Sequence, residues 1–114
     1  MLHVLRTTAV SLAPPDTDVD RLSDLALAVS EAAVELLRLD GADRVEMRID
    51  DRPESLWASL GVSATVPPGW VQTWTGSISA LVLNSIVEDV RVETNGDHVQ
   101  VEFLFRPQVA ESFQ

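Results

Sequence analysis

The chain has 114 residues, 46% hydrophobic and 23% charged, which predicts one folded domain with its own apolar core. Cysteine is absent, so disulfides and thiolate metal sites are excluded, and no apolar run approaches the roughly 20 residues that a membrane span needs. A net charge of −10 argues against a nucleic-acid partner, because phosphates would repel the chain. The acidic residues serve either to attract a basic protein partner or only to keep the protein soluble.

The first predicted element is a short amphipathic helix over residues 2–13. Its apolar residues recur at steps of three and four, and Pro14-Pro15 end it. The opening MLHVLRTTAV lacks the cationic start and cleavage site of a signal peptide, so a cytoplasmic location is expected.

A second, longer helix is predicted from Val19 to Leu39. The acidic stretch DTDVD supplies Asp candidates for its N-cap, and Asp40-Gly41 closes it. One apolar stripe at helical spacing consists of Leu22, Leu25, Val29, Ala33 and Leu36. The opposite side is predicted to carry Asp24, Glu31, Glu35 and Arg38.

The period then changes from helix to strand. Alternating apolar residues predict strands over residues 45–49 and 55–64, with a turn at residues 50–54 between them. Residues 65–76, TVPPGWVQTWTG, are rich in Pro, Gly and Trp and are predicted to form a loop.

A third helix is predicted over residues 77–89, and the chain then closes with a hairpin. The helical period returns through Ile78, Leu81, Val82, Ser85 and Ile86. Strands are predicted over residues 90–93 and 98–105, joined by a tight turn at Asn95-Gly96, and residues 107–114 form a tail. The order of elements predicts a single α+β domain over residues 1–106, a two-layer sandwich with helices on one face of a mixed or antiparallel sheet.

Two stretches resemble one bacterial family. LSDLALAVSEAAVELLRL is similar to the second helix of RsbW-type anti-sigma factors, which is close to LALAVSEAVTNAIRHA. GSISALVLNSIVEDVRVETNGDHVQVEFLF resembles the last helix and closing hairpin of that family. The resemblance covers residues 1–106, is closest to divergent actinobacterial members, and implies the histidine-kinase-like ATPase (GHKL) fold.

The resemblance implies a nucleotide site on the second helix. Family kinases carry there a catalytic carboxylate and, four residues later, an asparagine that helps hold Mg²⁺ against ATP. Glu31 matches the carboxylate, whereas Glu35 replaces the asparagine. A glutamate oxygen can bind Mg²⁺, but its negative charge beside Glu31 disfavours an anionic nucleotide. The alternative role for both residues is a solvated helix surface, with Glu35 paired to Arg38.

The other nucleotide motifs of the family are eroded. The adenine-reading Asp is missing from residues 61–65, and the glycine-rich phosphate turn is reduced to Gly76, followed by Ser77 and Ser79. The two serines either bind phosphate or cap the helix. Trp70 and Trp74 stand where the family has a longer polar lid. Four roles are open for these side chains: packing into the core, anchoring the loop, filling the nucleotide space, or contacting a partner.

Three functions remain open at this point. The resemblance implies a degenerate anti-sigma regulator that binds a sigma factor and is released by an anti-anti-sigma protein of the STAS type, without a cofactor. The alternatives are an active serine kinase using Mg-ATP, and a pseudokinase that serves only as an interaction or dimerisation module. Arg21 and Asp24, at the start of the second helix, are the predicted partner-binding residues.

The family's first strand has no counterpart here. Met1 already lies at the start of the first predicted helix, so either the strand that normally precedes this helix was lost or the true start of the protein lies further upstream. A sheet edge left open in this way invites pairing with another chain, and family members commonly form homodimers.

Overall fold

The structure is a computed structural model that describes residues 2–14 and 16–107. Its elements follow in the order α1 (Leu2–Ser11), α2 (Val19–Leu37), β1 (Glu46–Arg52), β2 (Ser55–Ser63), α3 (Trp70–Thr75), α4 (Ile78–Ile86), β3 (Glu88–Asn95) and β4 (His98–Phe105). The predicted α+β class is confirmed. Beyond Pro107, the predicted tail lies outside the described residues.

The four strands form one sheet in the order β1-β2-β4-β3. Every neighbouring pair is antiparallel, so of the two predicted sheet types the antiparallel one is correct. Alternate residues of the central strands β2 and β4 are buried, because their inner face meets the helices. The outer face carries mostly polar and charged side chains, as is usual for an antiparallel sheet with one face in water, with the apolar pair Trp57 and Leu104 among them.

Two tight hairpins connect neighbouring strands. Gly96 has a φ of +62°, which glycine adopts without steric cost, and it starts the two-residue turn between β3 and β4. The turn predicted over residues 50–54 is shorter in the structure, because β1 continues to Arg52 and only Pro53-Glu54 remain between the closing pair. The fixed φ of proline suits the first central position of such a turn.

The core forms between α2 and the inner face of the sheet. Four of the five predicted stripe residues of α2 are fully buried, and Leu22 is partly buried. Two further small residues of α2, Ala28 and Ala32, are buried with them. They allow α4 to pack closely on one side of α2, while α1 also packs against α2.

The helix predicted over residues 77–89 is confirmed as α4, but the residues of its predicted period do not form the buried side. Ile78 and Leu81 are 80% and 69% exposed, whereas Ser79, Ala80 and Leu83 are buried. Apolar residues occur on all sides of this helix, so their spacing alone did not identify the buried side. The small side chains of Ser79 and Ala80 face inward instead of the large ones.

The predicted loop over residues 65–76 is also wrong in part, because α3 forms within it. Gly69 has a φ of +79° and precedes the helix, and the amide of Thr73 donates to the Gly69 carbonyl at 3.0 Å. Helix α3 is only one and a half turns long, and the burial of Trp74 stabilises it.

The remaining differences concern the ends of elements. Helix α2 ends at Leu37 rather than Leu39, although Gly41 has the predicted left-handed conformation with a φ of +87°. Helix α4 ends at Ile86 rather than Asp89, and β3 begins at Glu88 rather than at residue 90. Of the helices in the described ranges, none combines the length and apolar character that a membrane crossing requires.

Candidate functional site

The two glutamates of α2, Glu31 and Glu35, are partly buried rather than fully solvated. Glu31 and Glu35 lie one helical turn apart, so they share one side of α2. The predicted ion pair is confirmed, because Nη1 of Arg38 donates to Oε1 of Glu35 at 2.8 Å. The carboxylate that stands at the family's amide position therefore already has a cationic partner within the chain.

The turn between α3 and α4 holds the predicted phosphate-binding residues. Ser77 is the N-cap of α4, and its Oγ accepts from the Ala80 amide at 3.1 Å while donating to the Trp74 carbonyl at 2.6 Å. The predicted capping role of Ser77 is thus confirmed. Gly76 ends α3 with a φ of −92°, which any residue can adopt, so this turn does not require glycine.

A shallow cleft of about 330 Å³ opens beside this turn. Its lining residues are Thr75, Gly76, Ser77, Ile78, Leu81 and Asn84. The side-chain Nδ2 of Asn84 donates to the Ala80 carbonyl at 2.8 Å. Ile78 and Leu81 form an exposed apolar rim. A phosphate at this turn would meet that apolar rim, and the single proton of the Ser77 hydroxyl is already donated to the Trp74 carbonyl.

Ser79 does not cap the helix. Its side chain is buried, and its Oγ has no hydrogen-bond partner among the described residues. The same is true of the Ser30 hydroxyl on α2. Ser79 lies on α4, which packs against α2, and its small side chain allows this close packing.

The two tryptophans of α3 stack on each other. Their ring centroids are 6.4 Å apart with the planes inclined by 24°. Trp74 is buried in the core and Trp70 packs against it, so of the open alternatives core packing is the one that the structure supports. A second surface cleft of about 390 Å³ lies beside Trp70, lined by residues 66–72 with Thr94 and Gly96.

Arg21 and Asp24 form a separate cluster at the start of α2. Arg21 Nη1 donates to Asp24 Oδ2 at 2.9 Å and to the Ile86 carbonyl at 3.0 Å, and Nε and Nη2 donate to the Arg106 carbonyl. The guanidinium also lies 4.7 Å from the centre of the Phe105 ring. These contacts join the start of α2 to the ends of α4 and β4, which sequence spacing gave no means of predicting.

The predicted nucleotide-site residues lie on α2 and around the start of α4. Gly76 and Ser77 line one cleft, whereas neither of the two described clefts is lined by Glu31 or Glu35. In residues 2–14 and 16–107, no three acidic or histidine side chains converge in a way that could hold a metal ion. The exposed pair Ile78 and Leu81 was missed as a surface feature, because the helical period that includes both residues does not show which side of the helix is buried.

Comparison with known proteins adds no relative. No protein-family model matches the chain, and no curated protein matches it.

Proposed function

We propose that the protein is an anti-sigma-like regulator that acts by binding other proteins rather than by transferring phosphate. In this proposal it binds a sigma factor in the cytoplasm, keeps it from core RNA polymerase, and releases it when a STAS-type antagonist competes. The resemblance of α2, α4 and the closing hairpin to RsbW-type anti-sigma factors is the basis for naming these partners.

The main support for the proposal is that residues at the family's nucleotide-binding positions already make contacts within this chain. Glu35 is paired with Arg38 at 2.8 Å, and the Ser77 hydroxyl caps α4. Binding Mg-ATP at these positions would break both interactions and bring a triphosphate close to two carboxylates. The residues present therefore fit Mg-ATP poorly.

The surface of α4 supports binding of a protein. Ile78 and Leu81 lie three residues apart, so they form one exposed apolar patch beside the cleft. Apolar residues next to a shallow depression are common at the centre of protein interfaces. The net charge of −10 would speed encounter with a basic partner.

Two observations favour the kinase alternative enough to require a test. Glu31 is partly buried, as a catalytic base in this family would be, and the Gly76-Ser77 turn borders a cleft. If the chain were a kinase, Mg-ATP at a hundredfold excess over its dissociation constant would add roughly 2.7 kcal/mol to its stability.

The experiment measures nucleotide and partner binding on the same preparation. Calorimetric titration with Mg-ATP is expected to give no saturable heat, for the wild type as for Glu31→Ala. Capture of the source organism's sigma factors, each produced separately, is expected to yield at least one stable complex. Leu81→Ser should weaken this complex, whereas Val4→Ser, a matched change at an exposed α1 residue, should not.

Two results would contradict the proposal in different ways. Saturable ATP binding that is lost in Glu31→Ala would establish the kinase alternative. Capture of no sigma factor, together with absent ATP binding, would leave the interaction-module alternative.

A further inference from the structure

We propose that Asn95 is a site of spontaneous chemical modification, at which the side-chain amide is lost and an aspartate or isoaspartate remains. The reacting pair is Asn95-Gly96 at the closing hairpin. The turn itself does not account for the asparagine, because Gly96-Asp97 are its two central residues. This modification goes beyond the proposed function and needs neither a nucleotide nor a protein partner.

The reaction needs only the atoms of this dipeptide and water. The Gly96 backbone nitrogen attacks Cγ of Asn95 and loses its proton to solvent, while the side-chain nitrogen takes up a proton and leaves as ammonia. Water then opens the resulting five-membered succinimide. Cleavage of the bond between nitrogen and Cγ gives aspartate, and cleavage of the bond between nitrogen and the backbone carbonyl carbon gives isoaspartate. One water is consumed, one ammonia is released, and the chain gains one negative charge.

The first observation is that the attacking nitrogen is accessible. Gly96 has no side chain to obstruct the approach of its nitrogen to Cγ. Its amide donates to no backbone carbonyl within residues 2–14 and 16–107, so the attack does not have to break such a hydrogen bond. Asn95, Gly96 and Asp97 are all exposed, so water reaches the reacting atoms.

The second observation is that Asn95 is the last residue of β3. In an extended strand, the backbone torsion ψ holds the next nitrogen away from Cγ, and it must rotate before the succinimide can close. For Asn95 this rotation disturbs only the terminal pair of the hairpin, which Asn95 forms with His98. Terminal pairs open at a much lower free energy than the whole fold, because few contacts are lost. Asn95 is therefore expected to react in the folded protein.

Asn84, the only other asparagine in the sequence, provides an internal comparison. It lies within α4, where its side-chain Nδ2 donates to the Ala80 carbonyl at 2.8 Å. The next residue is Ser85, whose side chain obstructs the attacking nitrogen in a way that glycine does not. Rotation of the backbone here would break hydrogen bonds of the helix, so Asn84 is expected to stay intact.

The pair Asp40-Gly41 offers the same ring closure with a poorer leaving group. Its side-chain carboxyl would have to lose an oxygen as water, where Asn95 loses ammonia. The Asp40 carbonyl also accepts from the Thr65 amide at 2.8 Å, which holds this segment in place. Isoaspartate is therefore expected to form more slowly at Asp40, and it would form there without a change in mass.

Modification at position 95 would alter the surface around the hairpin. The new carboxylate places a negative charge opposite His98. Isoaspartate also lengthens the backbone by one carbon, so the terminal pair and the two-residue turn cannot keep their geometry. Thr94 and Gly96 line the cleft of about 390 Å³ beside Trp70, so this cleft changes together with the hairpin.

The test follows the full chain by mass spectrometry during incubation in mildly alkaline buffer, which favours deprotonation of the Gly96 nitrogen. Trypsin cleaves after Arg91 and thereby places Asn84 and Asn95 on separate peptides. The Asn95 peptide is expected to gain about one dalton and to resolve into two products, aspartate and isoaspartate, which fragmentation distinguishes. The Asn84 peptide should keep its mass. Unfolding in urea should speed the reaction about tenfold, because the terminal pair no longer has to open.

The matched variant is Asn95→Gln, which keeps an exposed amide but would have to close a less favourable six-membered ring. Its peptide is expected to keep its mass over the same period. Three results overturn the proposal: an Asn95 peptide that stays intact unless the chain is unfolded, an Asn84 peptide that changes as fast, or an Asn95→Gln peptide that gains the same mass. The last result would place the lost amide at a glutamine of that peptide.

Discussion

At the scale of single residues, Arg21 joins three elements of the fold. Its side chain is only 12% exposed, and it donates to two backbone carbonyls at the ends of α4 and β4 as well as to Asp24. Planar guanidinium groups can donate in several directions while stacking on an aromatic ring, which lysine cannot do. Arg21 was predicted to contact a partner; that role remains untested, and its contacts within the chain explain its position.

Removing this guanidinium should destabilise the protein markedly. Arg21→Ala leaves the Ile86 and Arg106 carbonyls without this donor, and the expected loss is about 2–3 kcal/mol in the free energy of unfolding by urea titration. Arg21→Lys should recover less than half of this loss. The matched control is Arg38→Ala, also an i,i+3 ion pair but 70% exposed, with an expected loss of about 0.5 kcal/mol or less. Equal losses for the two alanine variants would show that the cluster around Arg21 contributes nothing beyond a surface pair.

At this scale it is also clear which parts of the candidate site can be predicted from the spacing of residues in the sequence. The Glu35–Arg38 pair and the Ser77 cap depend on neighbours three positions away, and both were predicted correctly. The contacts of Arg21 involve carbonyls 65 and 85 residues further along the chain. Only tertiary packing brings such partners together, so no local pattern could indicate them.

At the scale of elements, periodicity succeeded where one side of an element is clearly apolar. Helix α2 buries most of its predicted stripe, and the Asn95-Gly96 signal correctly located the closing hairpin. Periodicity located α4 but did not identify its buried side, because this helix is apolar on all sides, and it missed α3, whose Pro, Gly and Trp content is typical of a loop. In both cases packing against the rest of the protein determined the outcome.

Helix α3 therefore depends on Trp74 more than on helix propensity. Trp74 is 4% exposed, and its Nε1 has no acceptor among the described residues. Trp74→Ala should cost about 3–5 kcal/mol, because it leaves a large cavity. Trp74→Phe should cost much less, about 1 kcal/mol, because it keeps most of the ring and removes a buried donor that lacks a partner. Urea unfolding compares the two variants, and a Phe variant as unstable as the Ala variant would mean that the indole N–H has an essential partner.

At the scale of the whole molecule, net charge opposes folding. Eighteen acidic and eight basic residues give −10, and the four ion pairs among the described residues are mostly exposed, so they offset little of the repulsion. Compaction brings these negative charges closer than in the unfolded chain. Salt shortens the range of their repulsion, from about 30 Å at 0.01 M to about 8 Å at 0.15 M.

Sodium chloride should therefore stabilise the folded monomer. Between about 0.01 and 0.3 M, the free energy of unfolding is expected to rise by on the order of 1 kcal/mol or less, measured by urea titration at concentrations that keep the chain monomeric. The control neutralises three exposed acidic residues at turns with Asp43→Asn, Glu54→Gln and Asp97→Asn. This variant should be more stable than the wild type at low salt and should gain less from added salt, because less repulsion remains to be screened. A fall in stability with salt would instead mean that attractive ion pairs outweigh the net repulsion, and the charge of the chain would then favour folding rather than oppose it.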